Sequence, residues 1–178
     1  MGSNWILDDE EVEMKSFDDF EEAAKNGDIE AMNHLAYCYS EGLECDVDLK
    51  KAFSWYKKAA DAGSDEASYQ VGRCFEHGNG CKQDEDEAFR YYKKASDAGN
   101  YFAKSRLILC YLVGEGCETD YEKAFSLVKE LAELGDPEYM EELSDYYAEG
   151  IGCDIDEEKS QLWKKKYEDT LREMGLDV

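Results

Sequence analysis

A step of 36 residues divides most of this chain into four similar units, and no other feature constrains the fold as strongly. Laying residues 29–64 over residues 65–100 gives about 15 identical positions. The stretch YCYSEGLEC at 37–45 returns as RCFEHGNGC at 73–81, as LCYLVGEGC at 109–117 and, altered, as DYYAEGIGC at 145–153. Self-similarity at a period of this length is typical of repeat proteins, in which each unit is one supersecondary element.

Every unit begins with three positions spaced four residues apart, which places them on one face of a helix. They hold a small residue or tyrosine, then an aliphatic residue, then an aromatic one. The members are Ala31, Leu35 and Tyr39; Ala67, Val71 and Phe75; Ala103, Leu107 and Tyr111; and Tyr139, Leu143 and Tyr147. A glycine turn follows in each unit and predicts the end of this first helix, since glycine readily adopts the positive φ found there.

A second helix is predicted after each turn, because an aspartate at its start can cap the free backbone amides. The capping aspartates are Asp48, Asp84, Asp120 and Asp156. A further glycine ends the second helix, and a polar residue then begins the next unit. The predicted caps of the following first helices are Ser64, Asn100 and Asp136, with Pro137 at the first helical position.

Each unit is therefore predicted to be an antiparallel helix pair that cannot bury both of its faces alone. Stacking of the units predicts an all-α fold, a right-handed α-solenoid with a capping helix at each end. We expect a single domain over 1–178. Its predicted parts are an N-terminal capping half repeat at 1–27, repeats at 28–63, 64–99, 100–135 and 136–171, and a C-terminal capping helix that extends to 175.

The motifs Ala-x-x-x-Leu-Gly/Ala-x-x-Tyr, Gly-x-Gly, Asp and Lys-Ala-x-x-Trp/Tyr-Tyr-x-Lys-Ala resemble the Sel-1-like repeat family, a relative of the tetratricopeptide repeats. The resemblance covers residues 28–166 and the half repeat before them. It implies an adaptor or scaffold, not an enzyme, which holds another protein on the concave surface formed by the first helices.

One departure from the family pattern is a cysteine where the family usually has valine, at Cys45, Cys81, Cys117 and Cys153. A secreted, cysteine-rich branch of the family has its cysteines elsewhere, at positions that Ala60 and Ala67 occupy here. That branch implies an alternative function, a disulfide-stapled protein with cell-wall-binding or hydrolase activity.

The net charge of the chain indicates which classes of molecule it is expected to bind. The chain has 44 acidic and 20 basic residues, a formal net charge of −24. We therefore expect no nucleic-acid binding, which depends on Lys and Arg contacts with phosphates, and no binding to membrane surfaces. A basic protein partner is favoured instead. The odd number of seven cysteines predicts a reducing, cytoplasmic location, whereas a leader trimmed ahead of Met1 would indicate a secreted or periplasmic protein.

The cysteines could in principle form bonds within each unit. Seven residues across a helix end can bring two of them within the Cα separation of roughly 4.4–6.8 Å that a disulfide needs. The candidate pairs are Cys38–Cys45, Cys74–Cys81 and Cys110–Cys117. Tyr146 replaces the first cysteine of the fourth unit, which favours buried thiols that act as small apolar residues. The spacing fits neither a zinc site nor a redox motif, and no catalytic or cofactor-binding pattern occurs.

The first helix of the third unit, YFAKSRLILCYLVG, is apolar on nearly every face. By analogy with tetratricopeptide geometry, its side chains outside the core should face the concave groove, where an apolar patch rimmed by acids is typical of a peptide site. Strong superhelical curvature or a homodimer contact would bury the same helix, so a self-associating scaffold is a further alternative. The predicted partner-binding residues are Tyr37, Tyr69, Arg73, His77, Phe102, Leu109, Leu112, Val113, Glu141 and Asp145.

Overall fold

A computed structural model describes residues 16–176, and within this range the secondary structure is entirely helical. The helices are α1 (Phe17–Lys25), α2 (Ile29–Glu41), α3 (Leu49–Asp61), α4 (Asp65–His77), α5 (Glu85–Asp97), α6 (Tyr101–Val113), α7 (Tyr121–Glu133), α8 (Pro137–Glu149) and α9 (Glu157–Glu173). Each helix packs mainly against the helix before it and the helix after it. The predicted all-α solenoid of stacked helix pairs is confirmed.

The predicted caps form as expected. The four aspartates accept a hydrogen bond from the third backbone amide of the second helix, as Asp84 does from Glu87 at 3.0 Å. The first helices end at glycines in the left-handed conformation, for example Gly78 at φ 70°. Side-chain caps at the starts of the first and second helices fix the lengths of the loops between them. The repeat of 36 residues follows from these local signals.

The second glycine of each turn brings neighbouring units together. A β carbon at Gly116 would collide with the backbone carbonyl of Glu85, and one at Gly152 would collide with that of Tyr121. The turn of one unit thus lies directly on the start of the preceding unit's second helix. The first unit has Glu44 at this position, with φ 59°.

The predicted core positions of the first helices are buried, apart from Phe75, which is partly exposed. They join the second helices in two clusters, one centred on Leu35 and Val71 and the other on Leu107, Val128 and Leu143. Small residues such as Ala59 and Ala95 allow the helices to approach closely. The core therefore runs along the stack of helices, and its two clusters meet in the second unit.

A capping helix was predicted at each end of the solenoid, and the structure describes only part of the N-terminal one. The N-terminal half repeat was predicted over 1–27, of which residues 1–15 lie outside the described range. Helix α1 caps the first unit through Phe17, whose ring contacts Tyr39 edge-on at 5.6 Å. At the other end α9 buries Trp163 against α8 and leaves most of its surface exposed.

Candidate partner-binding groove

The first helices α2, α4, α6 and α8 carry every residue that the sequence predicts for partner binding. We call their exposed side the groove face. Its most apolar part lies on α6, where Phe102, Leu109 and Val113 are 57%, 39% and 61% exposed. These three residues lie seven and four positions apart, so they form one line along the helix, which we call the apolar stripe.

Two predicted residues lie deeper than the sequence suggests. Leu112 and Tyr69 are only partly exposed, and both pack against the core. The Tyr69 ring lies 5.8 Å from the Phe102 ring, so it connects α4 with the N-terminal end of the apolar stripe. Leu112 is therefore less exposed than the other predicted residues of α6, and its place on the groove face stays a prediction.

The remaining predicted residues are exposed on neighbouring helices. Tyr37 is half exposed on α2, and Arg73 and His77 are exposed on α4. Arg73 lies over the Tyr69 ring at 6.0 Å. Glu141 and Asp145 are exposed on α8. The groove face thus changes from mixed polar residues on α2 and α4 to apolar residues on α6 and acidic ones on α8.

A cleft of about 240 Å³ opens between α2 and α4, and we call it cleft one. Its walls and floor come from α2, α3, α4 and the following turn, and they are mainly polar. Burial raises the pKa of Tyr56, on the floor, to about 12. The lining residues are Tyr37, Ser40, Glu41, Leu49, Ala52, Tyr56, Gln70, Arg73, Cys74 and Asn79.

The repeat places equivalent residues between α4 and α6 and between α6 and α8, and we call these two positions cleft two and cleft three. In cleft two, a polar cluster fills the space. The Tyr92 hydroxyl and the Arg106 guanidinium both donate to the Glu76 carboxylate. Tyr92 is only 1% exposed, and the side chains of Glu76 and Arg106 are 14% and 32% exposed. The chain therefore closes cleft two with its own ion pair.

The predicted site residues do not include this cluster, although the sequence carries a signal for it. Glu76 and Arg106 occupy positions where cleft one has Ser40, from the first unit, and Gln70, from the second. An acid and a base that appear together at two non-core positions of adjacent units are candidates for a pair between repeats.

Cleft three has different chemistry at the same positions. Leu112 stands where cleft two has Glu76, Val128 replaces Tyr92, and Glu142 replaces Arg106. Burial raises the pKa of the Glu142 carboxyl, the neighbouring Tyr146 hydroxyl partly opposes that rise, and the charges of Glu138 and Asp145 add to it. Glu142 makes no ion pair and no hydrogen bond of normal geometry within residues 16–176. Cleft three therefore holds a partly buried carboxylate without a counter-ion.

All seven cysteines are free thiols in the structure, so none of the three candidate disulfides is formed. The second cysteine of each unit lies against a backbone carbonyl at the end of the first helix. The sulfur–oxygen distance is 3.3 Å from Cys81 to Cys74 and 3.5 Å from Cys153 to Tyr146. Because Cys153 makes this contact with a tyrosine, the position does not depend on a second thiol. The contact explains a cysteine just past the turn in every unit.

Metal clusters and membrane-spanning helices were both sought in the part of the chain that the structure describes. Residues 16–176 contain no group of three or more His, Cys, Asp or Glu side chains placed to hold a metal ion. None of the described helices combines the length and the apolar character that crossing a membrane requires.

Comparison with known proteins places the repeats in a family. The model of the Sel1 repeat matches residues 29–64, 65–100, 105–136 and 137–165. A comparison with curated protein sequences gave no match.

Several solved structures share the fold. A Sel1 repeat protein from Oxalobacter formigenes is 27% identical, with a TM-score of 0.77 over 86% of this chain and 63% of that one. A protective antigen of uropathogenic Escherichia coli with an SLR fold is 28% identical, with a TM-score of 0.79 over 90% of this chain and 36% of that one. The chain thus spans less than two thirds of either protein.

Cysteine rich protein B of Helicobacter pylori is 21% identical, with a TM-score of 0.54 over 71% of this chain and 96% of that one, a likeness of fold alone. The family model, in contrast, covers well over half of this chain, with one match in each of the four units. The chain belongs to the Sel1 repeat family.

Proposed function

We propose that this protein is a non-catalytic interaction module that binds a segment of a partner protein on its groove face. Sel1 repeat proteins are generally protein-interaction modules, and the fold is typically a scaffold without catalytic activity. The observation that carries the proposal for this chain is the apolar stripe on α6. Phe102, Leu109 and Val113 are large apolar residues exposed together on one helix face. Such residues anchor partners in many interfaces.

Charge complementarity favours a partner segment with both apolar and basic side chains. Helix α8, next to α6 on the groove face, carries five acids: Glu138, Glu141, Glu142, Asp145 and Glu149. These residues belong to no ion pair among those formed by residues 16–176. A basic segment would neutralise them, and the attraction would weaken with added salt because the Debye length falls to about 8 Å at physiological ionic strength.

Selection from a displayed library of random peptides tests the proposal. The wild-type domain should enrich a family of peptides with an apolar anchor. The double variant Leu109→Glu plus Val113→Glu should fail to retain them, because charge on the stripe opposes burial of the anchor. Both residues are exposed, so the variant should fold. Leu112 is unsuitable for this purpose, since it packs against the core.

A matched control carries the same charge change elsewhere. Leu134 and Ile155 are 73% and 70% exposed and lie off the groove face. Leu134→Glu plus Ile155→Glu should retain the peptides that the wild type selects. Failure of the wild type to enrich any peptide, or equal retention by the stripe variant, would refute the proposal.

The structure also favours tests of the two alternative functions. A disulfide-stapled protein predicts few reactive thiols after unfolding without reductant, whereas our account predicts that all seven become alkylated, as measured by intact mass. A self-associating scaffold predicts a dimer by light scattering at micromolar concentration. We expect a monomer, with no change of mass in the stripe variant.

A further inference from the structure

One position of the second helices is aromatic in three units and aliphatic in the third. It holds Trp55, Tyr91, Leu127 and Trp163. Tyr91 and Trp163 are 4% and 8% exposed, and Trp55 is partly buried against the core. A leucine side chain is smaller than any of these rings, so the third unit lacks part of the volume that the other units supply at this position.

Tyr91 shows how a ring is held at this position. It stacks on the Phe75 ring at a centroid distance of 5.8 Å. The Lys57 ammonium lies 5.5 Å from the centre of the Tyr91 ring, and the neighbouring Tyr91 hydroxyl is the main cause of the raised pKa of Lys57. The space between α3 and α5 thus holds a phenol ring of the chain itself, with an aromatic floor and a lysine at the hydroxyl.

A cavity of about 150 Å³ lies at the equivalent place between α5 and α7, where Leu127 is one of the lining residues. Tyr111 lines it at the position of Phe75 in the unit before, and Lys93 lines it at the position of Lys57. A cavity of this volume in another protein takes up a benzene molecule. The cavity therefore has the size and the floor to hold one aromatic ring.

Two buried hydroxyls in this cavity have no hydrogen-bond partner. Ser96 and Tyr111 are each 7% exposed, and both line the cavity. Neither hydroxyl forms a hydrogen bond within residues 16–176. Alanine occupies the Ser96 position in the neighbouring second helices, as Ala60 and Ala132, so this hydroxyl is specific to the cavity. Because buried hydroxyls normally have a partner, these two indicate a ligand with a polar group.

The charges at the cavity favour a neutral ligand. Lys93 and Lys123 both line it, but each already has a counter-ion. Lys93 pairs with Asp97 at 3.0 Å, and Lys123 pairs with Asp120 at 2.7 Å. An anionic ligand would compete with these two carboxylates. A phenol hydroxyl, in contrast, can both accept and donate a hydrogen bond without carrying a charge.

The space beside the cavity can accommodate more than a single ring. A depression of about 410 Å³ adjoins the cavity and extends along the turn between α6 and α7. Lys93, Tyr111 and Lys123 line both spaces. A ring in the cavity would thus leave room for a polypeptide backbone attached to it, which favours a side chain of a protein over an isolated small molecule.

We propose that the cavity between α5 and α7 binds a tyrosine side chain of a partner protein, with its ring on Tyr111 and Leu127 and its hydroxyl at Lys93 and Ser96. The ligand would occupy the place that Tyr91 holds within the chain one unit earlier. The cavity lies between second helices and off the groove face, so it is a second binding surface that does not depend on the proposed function.

N-acetyl-tyrosinamide, a neutral capped tyrosine, is the probe. In an NMR titration it should shift the amide signals of Ser96, Tyr111 and Leu127, with a Kd on the order of 1 mM, as expected for so small a ligand. N-acetyl-phenylalaninamide should bind about 5-fold more weakly, because it lacks the hydroxyl and thus one hydrogen bond. Lys93→Met should remove most of that difference.

Leu127→Tyr is the most informative variant, because it supplies the ring that the second unit has at this position. It should fill the cavity and abolish binding of the probe. Leu134→Tyr is the matched control, since the same substitution lies at a position that is 73% exposed. The control and the double variant Leu109→Glu plus Val113→Glu should both bind the probe as the wild type does.

Three results would overturn the inference: no shifts at the cavity in the wild type, equal binding by a folded Leu127→Tyr, or equal affinity for the tyrosine and phenylalanine derivatives. The last comparison needs only the wild-type protein, so it holds even where a variant fails to fold. None of these results bears on the groove face, and failure of the wild type to enrich any library peptide would leave this inference intact.

Discussion

Clefts two and three have the same backbone frame and opposite chemistry. In cleft two the chain supplies both charges, and Glu76 and Arg106 pair beneath the buried Tyr92. In cleft three the carboxylate of Glu142 takes the place of the Arg106 cation, and the apolar Leu112 takes the place of Glu76. The caps, turn glycines and core residues hardly differ between these units. The comparison teaches that the repeat frame is held constant while a few positions between the first helices change the charge and polarity of each cleft.

The largest expected effect comes from breaking the pair in cleft two. Glu76→Ala would leave the Arg106 guanidinium and the Tyr92 hydroxyl without their acceptor in a partly buried site. We expect a loss of about 2–3 kcal/mol in the free energy of unfolding, because unpaired buried polar groups cost this much. Urea denaturation followed by circular dichroism measures it.

Ser40→Ala is the matched control, since Ser40 holds the equivalent position beside the open cleft one. Its side chain bonds the nearby Tyr37 carbonyl and Glu41, and its hydroxyl also lies beside that of Tyr56. Its loss should cost less than about 1 kcal/mol. Equal effects of the two substitutions would show that cleft two is not held together by its ion pair.

A smaller effect is expected from removing one hydroxyl in each cleft. Tyr92→Phe deletes a hydroxyl that donates to Glu76, and it should cost about 1.5 kcal/mol. Tyr146→Phe deletes a buried hydroxyl without a partner, and it should change stability by less than about 0.5 kcal/mol. Thermal unfolding of the two variants at one pH gives the comparison. A larger cost for Tyr146→Phe would mean that its hydroxyl is already bonded within the folded chain.

The smallest effect is a gain in stability at Glu142. Its folded-state pKa is raised, so the ionised carboxylate opposes folding above that pKa, and this cost disappears below the ordinary value of 4.5. Glu142→Gln should therefore stabilise the free protein by roughly 0.5 kcal/mol at pH 7, the scale of like charges one helical turn apart. The gain should fade as the pH falls through the raised pKa of Glu142 and be absent below the ordinary value.

Chemical denaturation at pH 7 and at an acid pH where the fold persists measures this difference. Glu118→Gln is the matched control, because it removes one negative charge from an exposed loop, and it should change the free energy of unfolding at pH 7 very little. A loss of stability in Glu142→Gln at pH 7 would indicate that the carboxylate has a favourable partner in the free protein.

The local signals in the sequence were enough to predict the frame of this fold. Aspartate at the start of the second helices, glycine at the end of the first, and apolar residues at spacings of four each act within a few residues. Their recurrence predicted helix pairs, and burial of residues such as Leu35 and Leu143 confirms the predicted core.

The clefts could not be predicted in the same way, because they depend on how far a side chain reaches between units. Arg106 meets Glu76 across 30 residues of sequence, and no local pattern encodes that contact. The analogy with tetratricopeptide geometry places Leu112 on the groove face, but its helix is apolar on nearly every side, a property that does not tell the inward side from the outward one. The unpaired state of Glu142 likewise depends on what the facing helix lacks.

Mapping a selected peptide onto the domain by NMR tests the central claim most directly. Titration with the peptide should shift backbone amide signals mainly along α6 and α8, with the largest changes near Leu109, Val113 and Glu142. The second helices α3, α5 and α7 should change little, since they lie off the groove face. Shifts concentrated on those second helices, with α6 and α8 unaffected, would contradict the assignment of the groove face as the binding surface.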